Sequence, residues 1–60
     1  MEYEPKFAIM IHDSDTGDVY VAHKESDCKD GLHKDVYKTC WQNGDTITRG
    51  CVIGKFVKVG

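Results

Sequence analysis

The acidic stretch from Asp13 to Asp18 comes closest to a ligand-binding motif in this sequence. It reads DSDTGD and offers three carboxylates within six residues. A helix-flanked calcium loop needs acids or amides at its first, third and fifth positions, glycine at the sixth and glutamate at the twelfth. Counted from Asp13, the fifth position is Gly17 and the twelfth is Lys24. The motif fails, and the stretch predicts a polar turn.

Cysteine and histidine side chains are the next candidates for chemistry. Structural zinc sites usually take their ligands in close pairs, such as two cysteines separated by two residues. No such pair occurs, although Cys40 and His33 share a predicted helix face that Cys51 can approach. A free cysteine is commonly a small buried hydrophobe. We therefore predict no metal site and no cofactor.

Nucleophilic catalysis needs a cysteine–histidine pair in a cleft with an orienting group. A chain of 60 residues has a small core and little room for a cleft. The predicted hairpin places His12 and His23 on opposite faces, so they do not converge. We predict that the protein is not an enzyme and has no catalytic residues.

The segment from residue 6 to residue 25 predicts a β-hairpin, because two β-branched, apolar runs flank a polar tip. Asp15, Thr16 and Gly17 suit a three-residue loop that ends in left-handed glycine. This loop pairs Ser14 with Asp18 and His12 with Tyr20. One face then carries Phe7, Ile9, Ile11, Val19, Val21 and His23, which we assign to the core. The other face carries Ala8, Met10, His12, Tyr20, Ala22 and Lys24.

The spacing of apolar residues changes at residues 32–42 and predicts an amphipathic helix there. Their apolar and aromatic side chains fall within one half of the helical wheel. Ser26, Asp27 and Asp30 are candidate N-caps, and Gly44 is the expected stop. The β-branched and aromatic content, together with a hairpin-like Asn43-Gly44 pair, leaves a strand at residues 35–42 as an alternative.

Residues 45–60 are rich in β-branched residues and predict a strand, most clearly from Val52 to Val59. The fold class is therefore α+β: a small antiparallel sheet with one helix packed on one face, in the order β-β-α-β. An all-β small barrel is the alternative. Residues 1–60 form a single domain. The predicted core is Phe7, Ile9, Ile11, Val19, Val21, Leu32, Val36, Cys40 and Ile53.

Net charge and cysteine spacing limit the classes of partner and the cellular compartment that we expect. The net charge is −2, with five acids against one lysine in residues 1–23, so no strong general attraction to nucleic acid is expected. Lysines and arginine after residue 24 alternate with aspartates, which is typical of a solvated face. Neither a signal peptide nor a membrane-length apolar run is present. The odd, irregularly spaced cysteines favour a reducing cytoplasm, bacterial or that of an infected host cell.

These features predict a small non-enzymatic protein-binding module. The strand-strand-helix-strand layout is analogous, in size and layout only, to that of several tiny phage proteins that inhibit host enzymes, and no motif in the sequence identifies such a family. We expect a phage- or bacterium-encoded inhibitor or modulator that docks on a larger host protein. That partner is expected to present a basic surface to the acidic tip. A small nucleic-acid-binding regulator is the alternative function. For the outer sheet face, the alternatives to a partner contact are a homodimer interface and a second core layer covered by residues 46–60. The predicted partner-binding residues are Met10, His12, Asp13, Asp15, Asp18 and Tyr20.

Overall fold

The chain folds as an antiparallel sheet with one α-helix across it. The computed structural model describes residues 6–59, so the acidic lead-in at residues 1–5 lies outside the described residues. The sheet order is β2-β1-β4-β3, with every neighbouring pair antiparallel. The elements are β1 (Phe7–Asp13), β2 (Asp18–Ala22), a 3-10 turn (Glu25–Asp27), α1 (Gly31–Asn43), β3 (Ile47–Arg49) and β4 (Val52–Lys58).

The predicted α+β class is confirmed, and the barrel alternative is wrong because the sheet is open. α1 packs against β1, β3 and β4 on one face of the sheet. The Asp30 side chain caps its first turn by accepting the N–H of His33 at 2.9 Å. Gly44 ends the helix with φ of 68°, a conformation that a Cβ disfavours.

The segment after α1 forms two strands where the sequence predicted one. β3 and β4 are joined at Gly50 and Cys51, and Gly50 has φ of 60°. A glycine in this left-handed conformation fits a tight hairpin connection. β4 returns through the middle of the sheet beside β1, so β3 becomes the second edge strand.

The predicted hairpin register is wrong by one residue. Asp13 pairs with Asp18 and Ile11 with Tyr20, across a loop of four residues. Asp13 is the last paired residue before that loop, one position earlier than predicted. Its side chain accepts the N–H of Asp15 at 2.9 Å, and its carbonyl accepts that of Gly17 at 2.8 Å. Because strand side chains alternate, a shift of one residue moves every β2 side chain to the opposite face.

The predicted core is only partly correct, and the register shift explains the part that lies on β2. Ile9, Ile11, Val36 and Cys40 are fully buried, as predicted. The other predicted members, Phe7, Val19, Val21, Leu32 and Ile53, are exposed. The core is completed by Ala8, Ala22, Tyr37 and Val52.

Within residues 6–59 no helix combines the length and the apolar character needed to cross a membrane.

Candidate functional site

The sheet face opposite α1 is an exposed apolar surface. The strand register puts its side chains in rows, with His12 between Val19 and Ile53, and Met10 between Val21 and Lys55. Val19 is 59% exposed, Val21 39% and Ile53 37%. We call this surface the outer face; its members are Met10, His12, Val19, Val21, Thr48, Ile53, Lys55 and Val57. Ala8 lies on the same side of β1 but is fully buried.

The predicted binding residues do not all lie together. Met10 and His12 are neighbours on the outer face, as the sequence predicted. The register places Tyr20 on the opposite, helix-bearing face, where its ring lies 5.7 Å from that of His33. The expected cluster of Met10, His12, Tyr20 and Ala22 therefore does not form. Sequence reasoning missed Val19, Val21 and Ile53 as surface residues because it assigned them to the core.

The acidic tip is less available than the sequence predicted. Asp13 is buried, and Asp18 accepts a hydrogen bond from Lys29 Nζ at 3.1 Å. Asp15 is exposed. Hydrogen bonds from the Thr16 hydroxyl and from Lys29 lower the pKa of the Asp18 carboxyl. The tip thus presents one of its three carboxylates without an internal partner in the described chain.

A buried polar network connects the hairpin to the start of α1. His33 is 1% exposed. Its Nε2 lies 2.7 Å from Asp13 Oδ2, and its Nδ1 lies 2.6 Å from Tyr20 Oη. Tyr20 Oη also accepts the N–H of Lys29 at 3.0 Å. We call Asp13, Tyr20, His33 and the Asp30 cap the histidine network.

One assignment of protons satisfies Tyr20, His33 and Asp13 together. The Tyr20 hydroxyl accepts from Lys29, so its own O–H is available to His33 Nδ1. The proton on Nε2 is then donated to the Asp13 carboxylate. This bond, together with those from the backbone N–H groups of Asp15 and Thr16, lowers the pKa of Asp13 despite its burial. Burial raises the pKa of the Tyr20 phenol.

The network links a hydroxyl, an imidazole and a carboxylate, which is the connectivity of a catalytic triad. Its hydroxyl is the Tyr20 phenol, and burial raises the pKa of that phenol, so it is not an activated nucleophile. The thiols of Cys28 and Cys40 are not activated nucleophiles either. Burial and nearby acids raise the pKa of Cys28 to about 11, and burial raises that of Cys40.

Replacing the Tyr20 hydroxyl tests the network directly. Tyr20→Phe is expected to lower the free energy of unfolding by about 1–3 kcal/mol, because it leaves His33 Nδ1 buried without its partner. Urea denaturation monitored by circular dichroism measures this change. Thr39→Ala, which removes a hydroxyl bonded to the Asp35 carbonyl on the exposed helix surface, is the control and should cost less. Equal losses in the two variants would contradict a special role for the network.

An aromatic groove lies at the other end of the sheet. Phe7, Trp41, Gly44 and Phe56 line it, and it encloses about 280 Å³. Trp41 and Phe56 meet edge to face with ring centroids 4.9 Å apart. They are packed against each other rather than held as parallel walls, so the groove does not form a slot for a flat ligand.

Comparison with known proteins identifies no relative of this chain. No protein-family model matches the chain, and no curated protein or solved structure matches it.

Proposed function

We propose that this protein is a small non-enzymatic protein-binding module that docks on a larger protein through the outer face. The supporting observation is the contiguous exposed apolar surface around Met10, formed by β-branched residues from both neighbouring strands. An antiparallel sheet that faces water on one side normally alternates to polar residues on that side. Contiguous exposed apolar patches of about 300–600 Å² are often functional.

The size of the outer face indicates the class of interface that it can form. With strands about 4.8 Å apart and about 3.3 Å per residue, four strands cover on the order of 400 Å². A stable interface buries about 800 Å² on each partner. The outer face alone therefore supports a transient contact, unless the β2 edge or the hairpin tip also contributes.

The charge of the outer face indicates the chemistry of its partner. Among the strand residues of the described chain, Lys55 is the one formally charged side chain on this face, and it pairs with the central Met10. Stacking two copies face to face around this centre brings two ammonium groups together without an acid between them. We therefore favour a different protein whose apolar surface carries a carboxylate opposite Lys55.

The alternative of a nucleic-acid-binding regulator receives less support. Lys29 pairs with Asp18, Arg49 with Asp35, and Lys38 lies 3.9 Å from Glu25. These pairs neutralise much of the basic surface that phosphate contacts require. A steep fall in DNA or RNA affinity with salt would favour this alternative over protein docking.

The finer parts of the proposal concern origin and role. A cytoplasmic protein of a phage or bacterium, acting as an inhibitor or modulator, fits the small size and the three free cysteines. Asp13 and Asp18 have internal partners. The basic surface that we expect on the partner therefore meets mainly the Asp15 carboxylate at the tip.

The test compares substitutions on opposite faces of the domain. Val21→Asp places a charge on the outer face, and Lys55→Glu reverses its one charge. Leu32→Asp makes the same apolar-to-acid change on α1, where Leu32 is also exposed. The immobilised variants are used to capture proteins from lysate of the source cells, and captured proteins are quantified by mass spectrometry. The affinity of each recurring partner is then measured with purified protein.

A partner that binds the original protein and Leu32→Asp, but loses about 2 kcal/mol with Val21→Asp, roughly thirtyfold in affinity, would support the proposal. Lys55→Glu should weaken the same partner, with an effect that shrinks at high salt. Equal binding by all variants would overturn the proposal. So would a dimer, measured by light scattering, that Val21→Asp converts to monomer, because the outer face would then be occupied by a second copy.

A further inference from the structure

We infer that Asp13, Asp30 and His33 form a binding site for a first-row divalent transition metal ion, with zinc as the natural candidate. One ligand atom from each residue lies within 4.8 Å of the other two. His33 Nε2 is 2.7 Å from Asp13 Oδ2 and 3.5 Å from Asp30 Oδ2. With metal–ligand bonds of about 2.0–2.2 Å, neighbouring ligand atoms lie about 3 Å apart, which these separations approach.

The two carboxylates are already oriented by the backbone. Asp13 Oδ1 accepts from the N–H groups of Asp15 and Thr16, at 2.9 and 3.4 Å. Asp30 Oδ1 accepts from the N–H of His33 at 2.9 Å. In each residue the second oxygen, Oδ2, is left to face the same imidazole nitrogen. The Nε2–H makes one short hydrogen bond, to Asp13 at 2.7 Å, and leaves Asp30 Oδ2 at 3.5 Å, whereas a cation between the three atoms contacts both oxygens.

Tyr20 supplies the outer partner that a metal-bound histidine usually has. When a metal replaces the proton on Nε2, the ring proton moves to Nδ1 and is donated to Tyr20 Oη, 2.6 Å away. A hydroxyl both donates and accepts, so this reversal leaves neither group without a partner. The O–H of Tyr20 then turns away from His33, while the Lys29 N–H contact is kept.

The donor set and its surroundings select the metal and its affinity. One imidazole and two carboxylates suit zinc, cobalt or manganese better than copper(I), which prefers thiolate and thioether ligands. The positive end of the α1 dipole opposes a cation at this position, but two carboxylate charges outweigh it. Asp30 is 55% exposed and opens the site to solvent, so water completes the coordination and the affinity is moderate.

Zinc and cobalt binding to the intact protein tests the inference. Zinc affinity is measured by isothermal titration calorimetry, and the stabilisation that it gives by thermal unfolding. Asp30→Asn is the decisive variant, because asparagine is an equally good N-cap but a neutral ligand. Asp45→Asn is the matched control: Asp45 likewise accepts a backbone N–H, that of Thr46, at the opposite end of α1. Far-UV circular dichroism verifies that both variants are folded.

We expect one saturable zinc per chain that raises the unfolding temperature, with affinity at least about tenfold lower in Asp30→Asn and unchanged in Asp45→Asn. Tyr20→Phe should weaken binding by about 10–100-fold through loss of the outer partner. Absence of zinc binding, or equal binding in Asp30→Asn and the original protein, would overturn the inference. Cobalt binding with a thiolate charge-transfer band would do the same, because the ion would then sit on a cysteine.

Discussion

Tyr37→Ala is expected to leave the protein largely unfolded at room temperature. Tyr37 has the largest fully buried side chain in the described core and is 0% exposed. Truncating a buried aromatic side chain costs about 3–5 kcal/mol through lost burial and the cavity left behind. A domain of this size commonly gains no more than about 3–5 kcal/mol from its core. The loss therefore equals the whole expected stability, and far-UV circular dichroism should show an unfolded chain.

Tyr37→Phe separates the aromatic ring from its hydroxyl. The hydroxyl donates to the His23 carbonyl at 3.2 Å, a contact worth about 0.5–1.5 kcal/mol. The ring also meets Trp41 edge to face, with centroids 6.3 Å apart, and phenylalanine keeps that contact. Tyr37→Phe should therefore stay folded with a modestly lower urea midpoint. A folded, cooperatively melting Tyr37→Ala would show that the core does not depend on this ring.

The helix was predictable because several local signals agree. Asp30 offers a cap, the apolar residues follow a helical period, and Gly44 provides a left-handed stop. The observed helix begins at Gly31 and ends at Asn43, one residue beyond the predicted range at each end. The two strands of the hairpin were predictable for a similar reason, since their β-branched residues and polar tip indicate the same structure.

The hairpin register was not predictable from turn propensity. Glycine at position 17 adopts φ of 80°, as the sequence suggested, but a left-handed glycine fits loops of several lengths. The side chain of Asp13 selects the longer loop through contacts to the backbone and to His33, 20 residues away in sequence. Because this partner comes from α1, the decisive interaction is tertiary and carries no local signal.

The cluster of Asp13, Asp30 and His33 was not predictable for the same physical reason. Sequence signatures of metal sites are cysteines and histidines in close pairs, whereas this cluster combines one histidine with carboxylates from the hairpin and from a helix cap. A weak signal was present: an aspartate cap followed three residues later by a histidine on the apolar half of the helix. The sequence also predicted an outer face on the hairpin, but it placed the wrong set of β2 side chains there.

Gly54→Ala is expected to destabilise the protein by about 1–3 kcal/mol, because it adds a methyl group where α1 touches the sheet. A Cβ at this position would lie 2.5 Å from Val36 Cγ1 and 3.0 Å from Cys40 Sγ. Val36 has little rotamer freedom in a helix. Cys40 is held in place because its thiol donates to the Gly54 carbonyl at 3.2 Å. α1 must therefore move away from β4, and urea denaturation measures the resulting decrease in the free energy of unfolding.

Gly31→Ala is the matched control for this change. A Cβ at Gly31 meets no atom within 4 Å, and alanine is the better helix former. The same Gly-to-Ala substitution should therefore leave stability unchanged or slightly higher at the start of α1.

A double-mutant cycle with Val36→Ala identifies the cause of the loss at Gly54. If the methyl group clashes with Val36, shortening Val36 creates the space that the alanine needs. The double variant should then be more stable than the sum of the two single losses predicts, by about 0.5–3 kcal/mol, since the two sites are in direct contact. If the two losses in stability are additive, close contact between α1 and the sheet at Gly54 is not the cause of the loss. In that case the close packing of α1 against the middle of the sheet, which holds His33 over Asp13, would need another explanation.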